Sequence, residues 1–259
     1  MQHDFPADGP RRLHVEIQSG RVSVTTGDVD HVTVEVEGHE ADAVTITSES
    51  ERVVVTGPRR AGFHRPSLPL DVEVRLPRGS SLTGKVGSGD LAATGPLEHV
   101  RFSVGAGNVE LDEVLTTAVV KSGAGSIRVG ALGGTADLKT GAGAVVVERV
   151  RGDAKLTTGT GDVTLGEVDG NVAVRSGTGS LGIGRFTNGE ARFKNGYGDI
   201  RVGVPAATPV WTDIATGTGR IVSDLAPTGK PGPGQPHVAV TAKTATGDVY
   251  LQQLSDSLS

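Results

Sequence analysis

Residues 159–176 read GTGDVTLGEVDGNVAVRS and are the clearest copy of a repeat that fills the middle of this 259-residue chain. Each copy opens on Gly-x-Gly, followed by a residue that is usually polar and then by an aliphatic residue. Six copies are spaced by a constant 18 residues and begin at Gly87, Gly105, Gly123, Gly141, Gly159 and Gly177. Looser copies begin at Gly196 and Gly217, and a partial one at Thr246. A fixed period over many copies is typical of a solenoid.

Apolar and polar residues alternate in two short runs within each repeat. Val163 and Leu165 belong to the first run and Val172 and Val174 to the second. Period-two alternation indicates a strand with one buried face. The sequence therefore predicts an all-β fold, a single-stranded β-helix (β-solenoid) with 18-residue coils. The apolar steps do not recur every six residues, which disfavours a left-handed hexapeptide helix and favours right-handed coils.

The last step of the repeat is polar and small although it is in phase with the buried steps. The first copy has Val104 at this step, and the later copies have Ser122, Thr140, Thr158, Ser176, Asn195 and Thr216. We expect an internal ladder of hydroxyls and one amide that hydrogen-bond between neighbouring coils. The alternative is that these side chains face solvent at a turn.

The repeats also predict how the chain is organised. Residues 1–11 are expected to form a disordered leader, 12–80 a wider β region that starts and caps the solenoid, 81–252 the repeats, and 253–259 a frayed tail. One added residue near Thr187–Glu190 shifts the sixth copy. The proline-rich segment 227–236 is predicted to loop out, and 238–251 to form the last coil.

The amino-acid composition excludes some kinds of functional site and argues against some kinds of partner. The chain has no cysteine, which excludes disulfides and thiolate metal sites. Its net charge is −5, which argues against a nucleic-acid partner. The N-terminal residues lack a cationic region followed by an apolar run, so we expect no signal peptide. No stretch of about 20 apolar residues predicts a membrane span, and a cytoplasmic location is expected.

Two motifs suggest binding chemistry, and each has a simpler structural interpretation. Residues 177–182 (GTGSLG) match a dinucleotide-binding pattern, but a strand follows instead of a helix. The Gly-Thr-Gly-Asp run resembles calcium-binding β-rolls, yet each coil has one such turn where two are needed. Asp or Asn at that step is expected to accept turn amides. The scattered histidines do not suggest a metal site; they are His3, His14, His31, His39, His64, His99 and His237. The sequence predicts no cofactor, no metal and no catalytic residue.

Two charged sets could instead bind a partner or substrate. The outward-facing acids of the repeats could supply paired carboxylates for sugar chemistry, and the simpler interpretation is a solvated face; they are Glu110, Asp112, Glu113, Glu148, Glu167 and Asp169. A basic loop contains Arg59, Arg60, His64 and Arg65 and could contact an anionic partner.

The chain resembles the bacterial "putative adhesin" β-strand-repeat family, a domain of unknown function. The resemblance rests on repeated Ser/Thr-Gly-x-Gly-Asp units that follow Leu76-Pro-Arg-Gly79, and it covers about residues 12–252. It implies a single-stranded β-helix and carries no established catalytic residues.

Two functions of different class remain open. The first is a non-enzymatic structural or protein-interaction role, adhesin-like by resemblance, with an unknown protein partner or self-association through coil ends. The second is a carbohydrate-active or carbohydrate-binding β-helix protein, which requires convergent carboxylates or aromatic residues on one face. Aromatic residues make up only 3% of the chain and weigh against the second.

Overall fold

The computed structural model describes residues 1–58, 68–206, 208–225 and 237–255. The fold is all-β: apart from a short 3₁₀ turn at Ala41–Ala43, the regular structure of the described residues is strand. The chain divides into two compact units, Met1–Val129 and Gly130–Ser259. Strand alternation predicted from the repeats is confirmed, because the predicted inward steps are buried in both units, except in the strands Val210–Thr218 and Ile221–Ser223 described below.

The first unit begins with strands that do not follow the 18-residue repeat. Its strands are β1 (Gln2–Pro6), β2 (Arg12–Gly27), β3 (His31–Glu37), β4 (Thr45–Glu49), β5 (Arg52–Thr56), β6 (Leu70–Pro77), β7 (Ser81–Ser88), β8 (Leu91–Ala106) and β9 (Val109–Ala124). Strand β2 pairs parallel with β7 and β8 on one side and with β5 and β6 on the other. Leu13 lies beside Leu82, and Val22 lies beside Leu91. Strand β2 therefore pairs directly with β7 and β8, and the residues between β2 and β7 are an insertion in the sequence of parallel strands.

Antiparallel strands complete this unit. Strand β3 pairs with β6 and with β1, and β4 pairs with β5. The expected disordered leader differs from the structure here, because residues 2–6 form β1 with Phe5 opposite Val32. Ladder hydrogen bonds with β3 hold this segment even though it buries little side-chain surface. The basic loop residues Arg59, Arg60, His64 and Arg65 lie outside the described residues.

Strand β10 (Ile127–Leu132) contains the boundary between the units, and the second unit continues the repeat. Its strands are β11 (Thr135–Ala142), β12 (Val145–Val150), β13 (Ala154–Thr160), β14 (Val163–Asp169), β15 (Val172–Thr178), β16 (Leu181–Tyr197), β17 (Ile200–Pro205), β18 (Val210–Thr218), β19 (Ile221–Ser223), β20 (Val238–Thr246) and β21 (Val249–Leu254). Val145, Val163 and Leu181 lie side by side in parallel strands, as the sequence predicts. Ala136, Ala154 and Val172 stack in the same way in the second row of strands.

The predicted insertion is present as a bulge. The register shifts after Val168, where Asp169 pairs with Asn188, and the spacing becomes 19 residues at Val172 and Ala191. The extra residue lies at a corner, where it leaves the buried alternation on both sides intact.

The end of the second unit does not follow chain order. Strand β20 pairs with β16 on one edge and with β18 on the other, and β21 likewise lies between β17 and β19. The prediction that residues 238–251 form the last coil is therefore wrong, because β20 and β21 are paired along both edges and do not end the stack. These residues carry the more complete apolar pattern, so they occupy the enclosed position, and β18 and β19 lie outside them. We refer to β18 and β19 together as the end strands.

Candidate interaction surface

The end strands expose side chains at steps that are buried elsewhere in the repeat. Ile221 is 50% exposed, whereas Val249 and Ile200, its neighbours in the same row, are fully buried. Ser223 takes the place that Leu251 fills in the next strand. Two further large apolar side chains of the end strands point outward, Trp211 at 60% exposure and Val222 at 46%. The end strands thus expose large apolar side chains on both sides, Ile221 in the inward row and Trp211 and Val222 on the outward side, and they form a candidate surface of the second unit.

One edge of this surface has no partner strand within the described ranges. Strand β18 runs parallel to β20 from Val210–Val238 to Thr218–Thr246. No described strand pairs with its other edge. The backbone groups along a free edge of this kind are able to pair with another chain.

The end strands are nevertheless held firmly on β20 and β21. The Thr216 hydroxyl donates to the carbonyl oxygen of Gly247 at 2.9 Å. The Arg220 backbone amide donates to Asp248 Oδ1 at 2.8 Å. Both contacts repeat the interactions that join earlier repeats, so this surface is a continuation of the fold.

A polar cluster lies on the outward side of β17 and β21 and at the corners that precede β17, β19 and β21. Asp248 Oδ2 accepts from the Tyr250 hydroxyl at 2.8 Å and from Arg220 Nη2 at 3.2 Å. The Arg201 guanidinium lies 4.9 Å from the centre of the Tyr250 ring and donates to Asp199 Oδ2 at 2.8 Å. The chain's one tryptophan and both tyrosines, Trp211, Tyr197 and Tyr250, therefore all lie in the last repeats of the second unit.

Hydrogen bonding within the cluster shifts its titrations. The Arg220 backbone amide, with the Tyr250 hydroxyl, lowers the pKa of Asp248. The bond to Asp248 raises the pKa of Tyr250, and burial adds to that effect. The carboxylate is thus kept ionised by structural bonds that join adjacent strands.

Acidic residues at the corner step act as structural acceptors, as the sequence predicts. Asp162 Oδ1 accepts the backbone amide of Ser180 at 2.7 Å, and Asp199 Oδ1 accepts that of Asp248 at 2.9 Å. Asn108 does the same for Ser126 at 3.0 Å. Each side chain satisfies the corner amide of the next repeat. No group of three or more potential metal ligands occurs among the described residues.

The remaining candidate residues are not brought together into a site. Residues 177–182 lie at the end of β15 and the start of β16, where strand follows the corner. The outward acids of the repeats are exposed at successive strand positions. His14 Nδ1 lies 3.0 Å from the Thr83 hydroxyl, and burial followed by the Arg52 charge lowers the pKa of His14. His64 lies outside the described residues.

The first unit contains a cleft of about 610 Å³ beside β2 and β7. Its polar lining includes Glu16 and Lys85, which form an ion pair at 3.2 Å. Ile17, Val86 and Gly57 contribute apolar and backbone surface. The acid and the base neutralise each other, so the cleft offers no concentrated charge.

Sequence reasoning missed the end strands as a surface. Their apolar content looks like that of any other repeat, and nothing in the sequence shows that β20 inserts between β16 and β18. A usable signal is the position of Tyr197, Trp211 and Tyr250, which confines the tyrosines and tryptophan to the last quarter of the chain.

Comparison with known proteins identifies a family and a set of distant structures. A family model described as Toastrack DUF4097 matches residues 11–252. The chain is similar to a "putative adhesin" of Bacteroides fragilis NCTC 9343, with 10% identity and a TM-score of 0.45 over 97% of this chain and 96% of that one. It is also similar to a "putative adhesin" of Parabacteroides merdae ATCC 43184, with 11% identity and a TM-score of 0.39 over 96% and 95%.

A third similar structure is a "putative lipid binding protein" of Parabacteroides distasonis ATCC 8503, with 11% identity and a TM-score of 0.40 over 98% and 96%. No curated protein matches the chain. In the part of the chain that the structure describes, no helix has the length and hydrophobicity to span a membrane.

Proposed function

The chain belongs to the Toastrack DUF4097 family, and from that premise we propose that it is a non-enzymatic interaction scaffold whose docking surface is formed by the end strands. The observation that carries the proposal is the opening of a buried row at Ile221, which is 50% exposed while its in-register neighbours are fully enclosed. Exposed large apolar side chains beside a strand edge that has no described partner are typical of protein-interaction sites.

The use of the acidic side chains supports a structural role over catalysis. Asp162, Asp199 and Asp248 each accept a backbone amide from an adjacent repeat, so their charge serves the stacking of strands. A general acid or base needs a proton that it can exchange with a substrate. These carboxylates instead have fixed donors along the edge of the stack.

The proposal includes the architecture that the sequence predicts. We take the repeats of 81–252 as a single-stranded β-helix with right-handed, 18-residue coils, and 12–80 as the wider region that begins and caps it. Its support is the parallel pairing at 18-residue spacing, such as Val145 with Val163.

Site-directed variants in a pull-down from the native host test the proposal. We expect the double variant Trp211→Ser, Val222→Ser to lose captured protein, because both side chains are exposed members of the surface. Leu115→Ser is the matched control: Leu115 is also a large apolar residue, 39% exposed, but it lies on β9. Equal capture by the double variant and the wild type, with both folded by circular dichroism, would contradict the assignment.

A further inference from the structure

The edge of β18 that pairs with no described strand is complementary to itself. The strand has nine residues, Val210–Thr218, and Ile214 is its centre. If a second β18 pairs antiparallel about Ile214, each residue faces the one equally far from the centre on the other copy. Such an arrangement is a two-fold, isologous contact, the commonest way in which identical chains associate.

The core-facing side of this pairing is matched in polarity. Ile214 meets Ile214 of the second copy, and Thr212 meets Thr216 of the second copy. Ile214 lies beside Ala242 of β20, and Thr212 lies beside Val240; both of these β20 residues are buried. The pairing therefore continues the buried row across the contact, with two Thr–Thr pairs flanking a central apolar pair.

The outward side contains no opposition of like charges. Asp213 faces Ala215 of the second copy, and Trp211 faces Gly217 of the second copy. A large aromatic ring beside a cross-strand glycine covers the backbone that the glycine leaves exposed. Asp213 is the single ionisable residue of β18, and in this register its two copies are diagonal neighbours about 7–8 Å apart and are not directly opposed.

Head-to-tail pairing has only shorter edges to use. Among the described strands, β1 and β4 are each paired along one edge, but they have five residues each against nine in β18. Strand β2 is occupied along both edges, by β5 and β6 on one side and by β7 and β8 on the other. An isologous contact needs only the edge that β18 itself supplies. We therefore infer that the end strands bind a second copy of this chain, by antiparallel β18–β18 pairing centred on Ile214.

The inference rests on the proposed function and names its partner. One strand pair with a few apolar side chains lies at the low end of interface sizes, so we expect a dimer with a Kd on the order of 10 µM. Sedimentation velocity from about 1 to 200 µM measures this directly. Trp211 is the chain's one tryptophan and is exposed, so its emission is expected to shift to shorter wavelength over the same concentration range.

Two substitutions at one exposed position test the register. Ala215→Lys places a cation opposite Asp213 twice in the dimer, whereas Ala215→Asp places a carboxylate there twice. We expect Ala215→Lys to lower Kd and Ala215→Asp to raise it, each on the order of fivefold, with both effects shrinking at 1 M salt. Ala215 is exposed, so both variants are expected to keep the wild-type melting temperature.

The outcomes separate the inference from the proposed function. A chain that stays monomeric at 200 µM, or equal Kd values for the two Ala215 variants, overturns the second-copy contact. If Trp211→Ser, Val222→Ser still loses a different captured protein in that case, the end strands remain a docking surface for another partner. Opposite effects of Lys and Asp at position 215 support the two-fold pairing.

Discussion

Thr158 shows how a polar side chain is accommodated in the buried row. It is 2% exposed, which excludes the solvent-facing alternative, and its hydroxyl donates to the carbonyl oxygen of Gly143 at 3.1 Å. Ser122 makes the same bond to Gly107. The expected internal ladder is confirmed in its placement, because Thr140, Thr158, Ser176 and Asn195 are buried and stacked in register. The hydroxyls donate to corner carbonyl oxygens and not to one another, because paired strands lie about 4.8 Å apart and the carbonyl is closer. Thr158 and Ser122 thus fasten their own repeats to the corner of the one before.

Asn195 is the member of this row that fits least well. Its Nδ2 donates to Gly179 at 2.8 Å and to Gly198 at 3.0 Å, but its buried Oδ1 accepts from no described residue. Asn195→Thr would keep a donor toward Gly179 and remove the unsatisfied oxygen. Gly198 also accepts from the Thr244 hydroxyl at 3.3 Å. We expect the free energy of unfolding to rise by about 1 kcal/mol, measured by urea denaturation.

The reciprocal variant is the control for that prediction. Thr158→Asn introduces the same amide at the equivalent step two repeats earlier, and we expect it to lower the free energy of unfolding by about 1–2 kcal/mol. A loss of stability in Asn195→Thr would show that the Asn195 oxygen is satisfied in solution.

At the scale of the element, the corner glycines decide how closely repeats stack. Gly161 has a φ of 140°, and a Cβ added there would overlap the carbonyl oxygen of Gly143. We expect Gly161→Ala to lower the free energy of unfolding by roughly 3 kcal/mol, from backbone strain and overlap together. Thermal and urea denaturation measure the loss.

Gly182 provides a matched control within the same repeat region. Its φ lies outside the left-handed range, and the nearest atom to an added Cβ is the Arg201 carbonyl oxygen at 3.9 Å. Gly182→Ala is expected to change stability by less than about 0.5 kcal/mol. Similar losses for the two variants would mean that corner geometry does not limit the stacking.

The elements themselves were largely predictable from the sequence, and their order was not. Alternation at Val163, Leu165, Val172 and Val174 specifies strands and their buried faces, because each strand pairs with a near copy of itself. The position of β20 depends on whether β18 or β20 packs its inward side chains better beside β16. That choice is a difference in tertiary packing, which no local pattern contains. The exposure of β18 and β19 follows from the same packing preference, so it could not be predicted from the sequence pattern either.

At the scale of the molecule, local stability should follow spatial order instead of chain order. Strand β20 is paired along both edges and its inward residues are fully buried, whereas β18 is paired along one edge among the described strands. In hydrogen–deuterium exchange near 1 µM, where dimers would be scarce, we expect β18 amides to exchange at least tenfold faster than β20 amides. Faster exchange in β20, the strand nearer the C-terminus, would contradict the observed order.

The intercalation of β20 and β21 has a consequence for biosynthesis. A ribosome releases β18 and β19 before the strands that separate them from β16 and β17, so the nascent polypeptide cannot be completed one layer at a time. The edge of β16 that pairs with β20 either stays unpaired until β20 and β21 have been synthesised, or pairs first with another strand that β20 then displaces. Insertion of β20 and β21 between strands already synthesised is therefore expected late in folding, and until then the unpaired strand edges leave the chain prone to aggregation.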